Sequence, residues 1–156
     1  MKNTSTSADQ LLTDFFAGFR AQLTGVRLAR AHRVESALRA CAEAEGSRIL
    51  VTRDVQLLEA ERQFAPDGAF ARIAHGDDLI FVLAMFVESP RLLEDFEDRR
   101  MQLRVIESLV AYLSRRCKLN LSELSCPILD IEGGVASARR HLAASRRQLR
   151  ASSARD

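Results

Sequence analysis

The sequence predicts an all-α protein, a single-domain bundle of about five helices, and three observations carry that expectation. The 156 residues are 47% hydrophobic, enough for an ordinary core, yet hold no Trp, one Tyr, three Pro and seven Gly. A sheet protein usually needs more aromatic and turn residues than that, whereas Ala, Leu, Arg and Glu, which dominate here, lose little side-chain freedom in a helix. Two long segments, near residues 8–44 and 90–118, repeat their apolar residues at alternating spacings of three and four. That spacing lines one face of a helix. Between them runs a short, wholly apolar stretch over 79–87, the pattern of a helix buried on every side.

Taken in order, Ser7-Ala8-Asp9-Gln10 has the S-x-x-Q form of a capping box. The stripe behind it passes through Leu12, Phe16, Phe19, Leu23 and Val26 and resumes at Val34, Leu38 and Cys41. This predicts one long helix, or two with a bend near Gly25, ending before Gly46. Residues 48–52 resemble a short strand, but Val51, Val55, Leu58 and Arg62 continue at helical spacing, so helix is expected over 48–64. Pro66-Asp67-Gly68 signals a turn, followed by one or two helical turns over 69–75. Gly76-Asp77-Asp78 opens the apolar helix, and Ser89-Pro90 closes it and opens the next, since Pro loses no hydrogen bond in a first turn.

The seam that follows is the clearest in the chain: Leu92, Phe96, Arg99, Leu103, Ile106, Val110, Leu113 and Cys117 step in heptad register. Beyond Asn120 the expectation is a short capped turn broken by Pro127, a flexible joint at Gly133-Gly134, and a last helix over 135–149. Its apolar stripe is thin: Val135, Ala138, Leu142 and Leu149. Residues 1–6 and 151–156 read as flexible tails around a bundle domain at 7–150. There is no internal repeat.

Chemistry is conspicuously missing from these residues. His32, His75 and His141 are far apart and fall in no HExxH or ExxH pattern. There is no GxSxG and no Walker loop. Cys41 and Cys117 sit at the ends of apolar stripes, where a thiol is inert. The expectation is therefore a protein that is not an enzyme and takes no metal or cofactor. The polar start of the chain lacks an apolar signal-peptide core, the nine-residue apolar run is too short to span a bilayer, and the three cysteines lack CxxC spacing. Buried, reduced thiols in a cytoplasmic protein fit that set.

A net charge of only +2 hides strong segregation. Residues 54–98 hold eleven acids against three arginines, and residues 99–156 hold twelve basic residues against five acids. Of the 23 basic residues only Lys2 and Lys118 are lysines. Such a dipolar chain either pairs its own helices or matches a partner of opposite sign. The leading expectation is action through protein–protein contacts, as a homo-oligomer or accessory subunit. Its candidate interface is the seam at Arg99, Leu103, Ile106, Val110 and Leu113, where a charge inside an apolar stripe needs a partner. The alternative is a nucleic-acid-binding subunit. It would contact phosphates through Arg27, Arg30 and Arg33 on the first helix and Arg139, Arg140, Arg146, Arg147 and Arg150 on the last, provided the two lie side by side. Neither basic cluster carries Tyr or Trp for base stacking.

Overall fold

The structure, a computed structural model, describes residues 5–155. It is all-helical, with no strand among those residues. The helical bundle expected from the sequence is present, with seven α-helices and one 3-10 turn among the described residues where about five helices were expected. The first four residues of the expected N-terminal tail, and Asp156 of the C-terminal one, lie outside the described residues.

Helix α1 (Ala8–Arg20) starts where the capping signal falls: the Ser7 hydroxyl accepts from the Gln10 amide at 3.3 Å. Only half of the capping box forms, because the Gln10 side chain turns outward and donates to Asp14 at 2.8 Å. Leu11, Leu12, Phe15 and Phe16 face the core. Helix α2 (Gly25–Ile49) is separate, so of the two arrangements expected over 8–44 the pair of helices meeting near Gly25 is the one formed, and the second runs past Gly46. Gly25 has φ +56°, a left-handed backbone that a continuous right-handed helix does not contain. Leu23 still reaches the core from the connecting loop, whereas Val26 is left exposed.

Helix α3 (Thr52–Phe64) and the short α4 (Ala69–Ile73) follow, and the strand-like residues 48–52 do not form a strand. α3 is peripheral, with Leu58 its one buried side chain. α4 presses Phe70 against Gly46 of α2 so closely that a Cβ on Gly46 would lie 2.3 Å from the ring. Helix α5 (Gly76–Phe86) is started by Asp78, whose carboxylate accepts from the His75 amide at 2.8 Å. Leu79, Ile80, Val82, Leu83 and Phe86 are buried, but Phe81 is exposed, so α5 is buried on most faces rather than all.

The expected helix over 90–118 is shorter at its start. Ser89–Arg91 makes only a 3-10 turn, and helix α6 (Phe96–Arg116) begins six residues after Pro90 with Asp95 as its cap, accepting from the Asp98 amide at 2.9 Å. Gln102 joins the two pieces. Fully buried, it accepts from the Leu93 amide at 2.9 Å and donates to the carbonyls of Phe86 and Arg91 at 3.1 Å each.

Helix α7 (Leu121–Ser153) is the largest departure from expectation. Its 33 residues are one helix, roughly 50 Å long at ~1.5 Å per residue, and neither Pro127 nor Gly133-Gly134 interrupts it. Pro127 is buried against the core, and Gly134 is where α7 meets α5, since a Cβ there would lie 2.6 Å from Val87. The helix also continues through 151–153, where a tail was expected.

Packing follows a square. α2 packs on α5 and α6, α7 packs on the same two, and α2 and α7 therefore stand diagonally opposite. α1 packs on α2, α5 and α6, and α4 sits among α1, α2 and α3. The largest fully buried side chains, among them Phe16, Phe70, Phe86, Leu38, Ile80, Leu83, Leu103 and Ile106, fill the centre.

Candidate interaction surfaces

The seam of α6 is spent inside the chain. Leu103, Ile106 and Leu113 are at most 1% exposed, between α2 and α7. None of the three has surface to offer a partner. Val110 is half-buried and lines a cleft of about 400 Å³ with Ile128, Ile131 and Val135 of α7. Arg99 is half-buried too, and its Nε donates to the Leu93 carbonyl at 2.7 Å. The charge in the seam thus closes the loop before α6. Of the five expected interface residues, only Val110 keeps apolar surface beside an open cleft.

The arginines divide by whether an acid already holds them. Arg33 grips Asp98 with two hydrogen bonds, Nε at 2.9 Å and Nη2 at 2.8 Å. Arg30 Nε sits 3.5 Å from the same carboxylate, too far for a good hydrogen bond, and has no other partner. This arrangement holds the Asp98 carboxyl below its ordinary pKa, chiefly through the Arg33 hydrogen bonds. The Glu45 carboxyl is likewise lowered, by Arg91 and then by Arg48. Arg139 pairs with Glu107. Arg27, Arg140, Arg146, Arg147 and Arg150 are exposed and meet no acid among the described residues. Because α2 and α7 are diagonal, the two basic stretches do not merge into the single positive surface that the phosphate-binding expectation required.

Two clefts emerge that sequence reading missed. The first lies where the end of α7 passes α6. Phe96 and Leu142 form an apolar floor over the buried Leu103, rimmed by Arg100, Arg139, Arg146, Arg147 and Arg150, in a cleft of about 350 Å³. The second lies between α1 and α6. It brings Phe19 and Tyr112 beside Arg27, Arg104 and Arg115, supplying the aromatic neighbours that the basic stretches lack along the chain. Its residues come from positions up to about 100 apart, so no local motif could have marked it.

No group of three or more His, Cys, Asp or Glu among the described residues stands close enough to hold a metal ion. All three histidines are exposed. The cysteines are free; Cys41 is buried, Cys117 half-buried and Cys126 exposed, which corrects the expectation that all are buried. Burial raises the thiol pKa of Cys41 and of Cys117. No described helix is long and apolar enough to cross a membrane. Comparison with protein-family models, with curated proteins and with solved structures yields no match.

Proposed function

We propose that this is a non-enzymatic helical protein that works by protein–protein contact, with the C-terminal end of α7 as its docking element. One observation carries the reading. After Leu142, its last buried residue, α7 runs on for eleven residues to Ser153, every one of them exposed. That is about 16 Å of helix at ~1.5 Å per residue that adds no core. Helical turns without packing are marginal in water, so an overhang of this length is best used by something that packs on it. The cleft beside it is apolar at the floor and cationic at the rim, and Leu149 on the overhang is 65% exposed. An acidic amphipathic segment of a partner protein suits that combination, its apolar face on Phe96 and Leu142 and its carboxylates on the arginines.

The test is a pull-down and light-scattering mass, at low and high salt, of the wild-type chain and of a variant with Arg146, Arg147 and Arg150 changed to Ser. The reading expects a captured acidic protein or a self-associated species that the variant loses. A wild-type monomer at both salts with no captured partner overturns it. The four unpaired arginines Arg140, Arg146, Arg147 and Arg150 also favour a second reading, contact with nucleic-acid phosphates. That reading expects affinity to fall steeply with salt, about 0.7–0.9 in log–log slope per phosphate neutralised, and to be indifferent to Leu149→Ser.

A further inference from the structure

The cleft between α1 and α6 lies apart from the α7 overhang and has a different chemistry. Phe15 stacks on Phe19 with ring centroids 5.6 Å apart, and the Tyr112 ring lies 5.5 Å from Phe15. The Arg104 guanidinium sits 5.7 Å from the Phe19 centroid, extending the aromatic group with a flat cationic plane. Arg27 and Arg115 line the same cleft, and none of the three arginines meets an acid among the described residues. Asp14, also in the wall, is occupied by Gln10. Gly18 lies between these groups on α1, with no atom within 4 Å of where its Cβ would be, so the backbone there is open to close approach. The cleft encloses about 540 Å³, within the roughly 300–1,000 Å³ usual for small-ligand sites.

We propose that this cleft binds a nucleotide unit, its base against Tyr112 and the Arg104 plane beside Phe19, and its phosphate among Arg27, Arg104 and Arg115. Bases stack on aromatic rings and on guanidinium planes alike. Three arginines against Asp14 leave two positive charges, matching a phosphomonoester of about −1.5 to −2 at neutral pH. Arginine is suited to both contacts, since its fork meets phosphate oxygens and its face meets a ring. The unit is either a free nucleotide or one residue of a single strand, and the two sources present the same chemistry to the cleft.

The experiment is a heteronuclear NMR titration of the whole chain with AMP, adenosine, inorganic phosphate and a ten-residue oligodeoxyadenylate. AMP is expected to shift the Gly18, Phe19 and Tyr112 resonances with sub-millimolar affinity, and adenosine or phosphate alone to bind at least tenfold more weakly. An oligonucleotide that binds more than tenfold tighter than AMP identifies a strand as the source; one that does not identifies the free nucleotide. Gly18→Leu fills the cleft from an exposed helical position and should weaken AMP at least tenfold while leaving the unfolding temperature equal or higher. Arg104→Ser with Arg115→Ser should weaken AMP by a similar factor. No shift at about 10 mM of either AMP or the oligonucleotide, where even a millimolar site would be occupied, overturns the proposal. So does an unchanged affinity in Gly18→Leu.

Discussion

Gly133 and Gly134 are neighbours in sequence, and the fold gives them opposite consequences when a methyl group is added. Both lie inside α7, where replacing Gly by Ala gains about 1 kcal/mol of helix propensity. Around Gly133 there is nothing within 4 Å of an added Cβ, so Gly133→Ala should keep the whole gain. That corresponds to a rise of roughly 2–4 °C in Tm for a chain of this size. At Gly134 the added Cβ would lie 2.6 Å from Val87 Cγ1 and 3.0 Å from Cγ2. Ordinary carbon contacts are about 3.5–4.0 Å, so the two helices or the valine must give by about 1 Å. Val87 is 4% exposed and caps α5, so it has little room to move. Overpacking of this kind costs about 1–3 kcal/mol. Gly134→Ala should therefore be neutral to about 2 kcal/mol destabilising, and the two variants should differ by about 1–3 kcal/mol. Urea and thermal unfolding followed by circular dichroism would measure it. Combining Gly134→Ala with Val87→Ala should recover part of the loss, a coupling that distant sites do not show. Equal stabilisation by both glycine replacements, with no coupling to Val87, would show that the pair is a joint in solution and that α7 is not seated on α5 there.

Three further outcomes test the interior. Gln102→Leu keeps the volume but strands the Leu93 amide and the Phe86 and Arg91 carbonyls; the expected loss is about 2–4 kcal/mol, a fall in Tm of roughly 4–16 °C. A loss below about 1 kcal/mol would mean that the 87–95 segment is held by other contacts. The lowered pKa of Asp98 makes its contribution to stability fully present above the unfolded carboxylate value of about 3.9 and lost as pH falls through the lower folded value. The gap in unfolding midpoint between wild type and Asp98→Asn should accordingly be constant from pH 5 to 8, about that range being free of carboxylate titration, and close under strong acid. A gap that widens on acidification contradicts the Arg33–Asp98 geometry. A disulfide reagent should modify Cys126 at once, Cys117 more slowly and Cys41 only on unfolding, given their exposure and the raised pKa of the latter two. Rapid reaction of all three thiols in the native protein would contradict the burial of Cys41.

What periodicity could reveal was revealed: the helical class, the α6 seam and the apolar α5 are all one-dimensional patterns of side chains. The apolar spacing alone did not decide between one helix and two over 8–44, because Leu23 stays in phase with the stripe while the backbone turns at Gly25. The continuity of α7 ran against two sound local signals, and tertiary contact reversed both. Pro127 is buried, and Gly134 is needed for an approach that a side chain would block. Charge left two readings open for a related reason. A dipolar chain can pair its own helices or match a partner, and Arg30 and Arg33 on α2 face Asp98, 65 or more positions away, so that part of the charge is paired internally. An arginine in a sequence is a charge without a partner; only the fold shows which partners are already taken. Of the arginines that meet no acid among the described residues, Arg27, Arg104 and Arg115 gather in the α1–α6 cleft and Arg140, Arg146, Arg147 and Arg150 lie along the end of α7, while Arg53, Arg116 and Arg155 stand outside both groups. Arg27, Arg104 and Arg115 stand beside Phe19 and Tyr112, and Arg146, Arg147 and Arg150 beside Phe96 of α6. A solvated basic face requires no such neighbour. It is this pairing of free cation with apolar surface, in two clefts, that supports the two binding proposals.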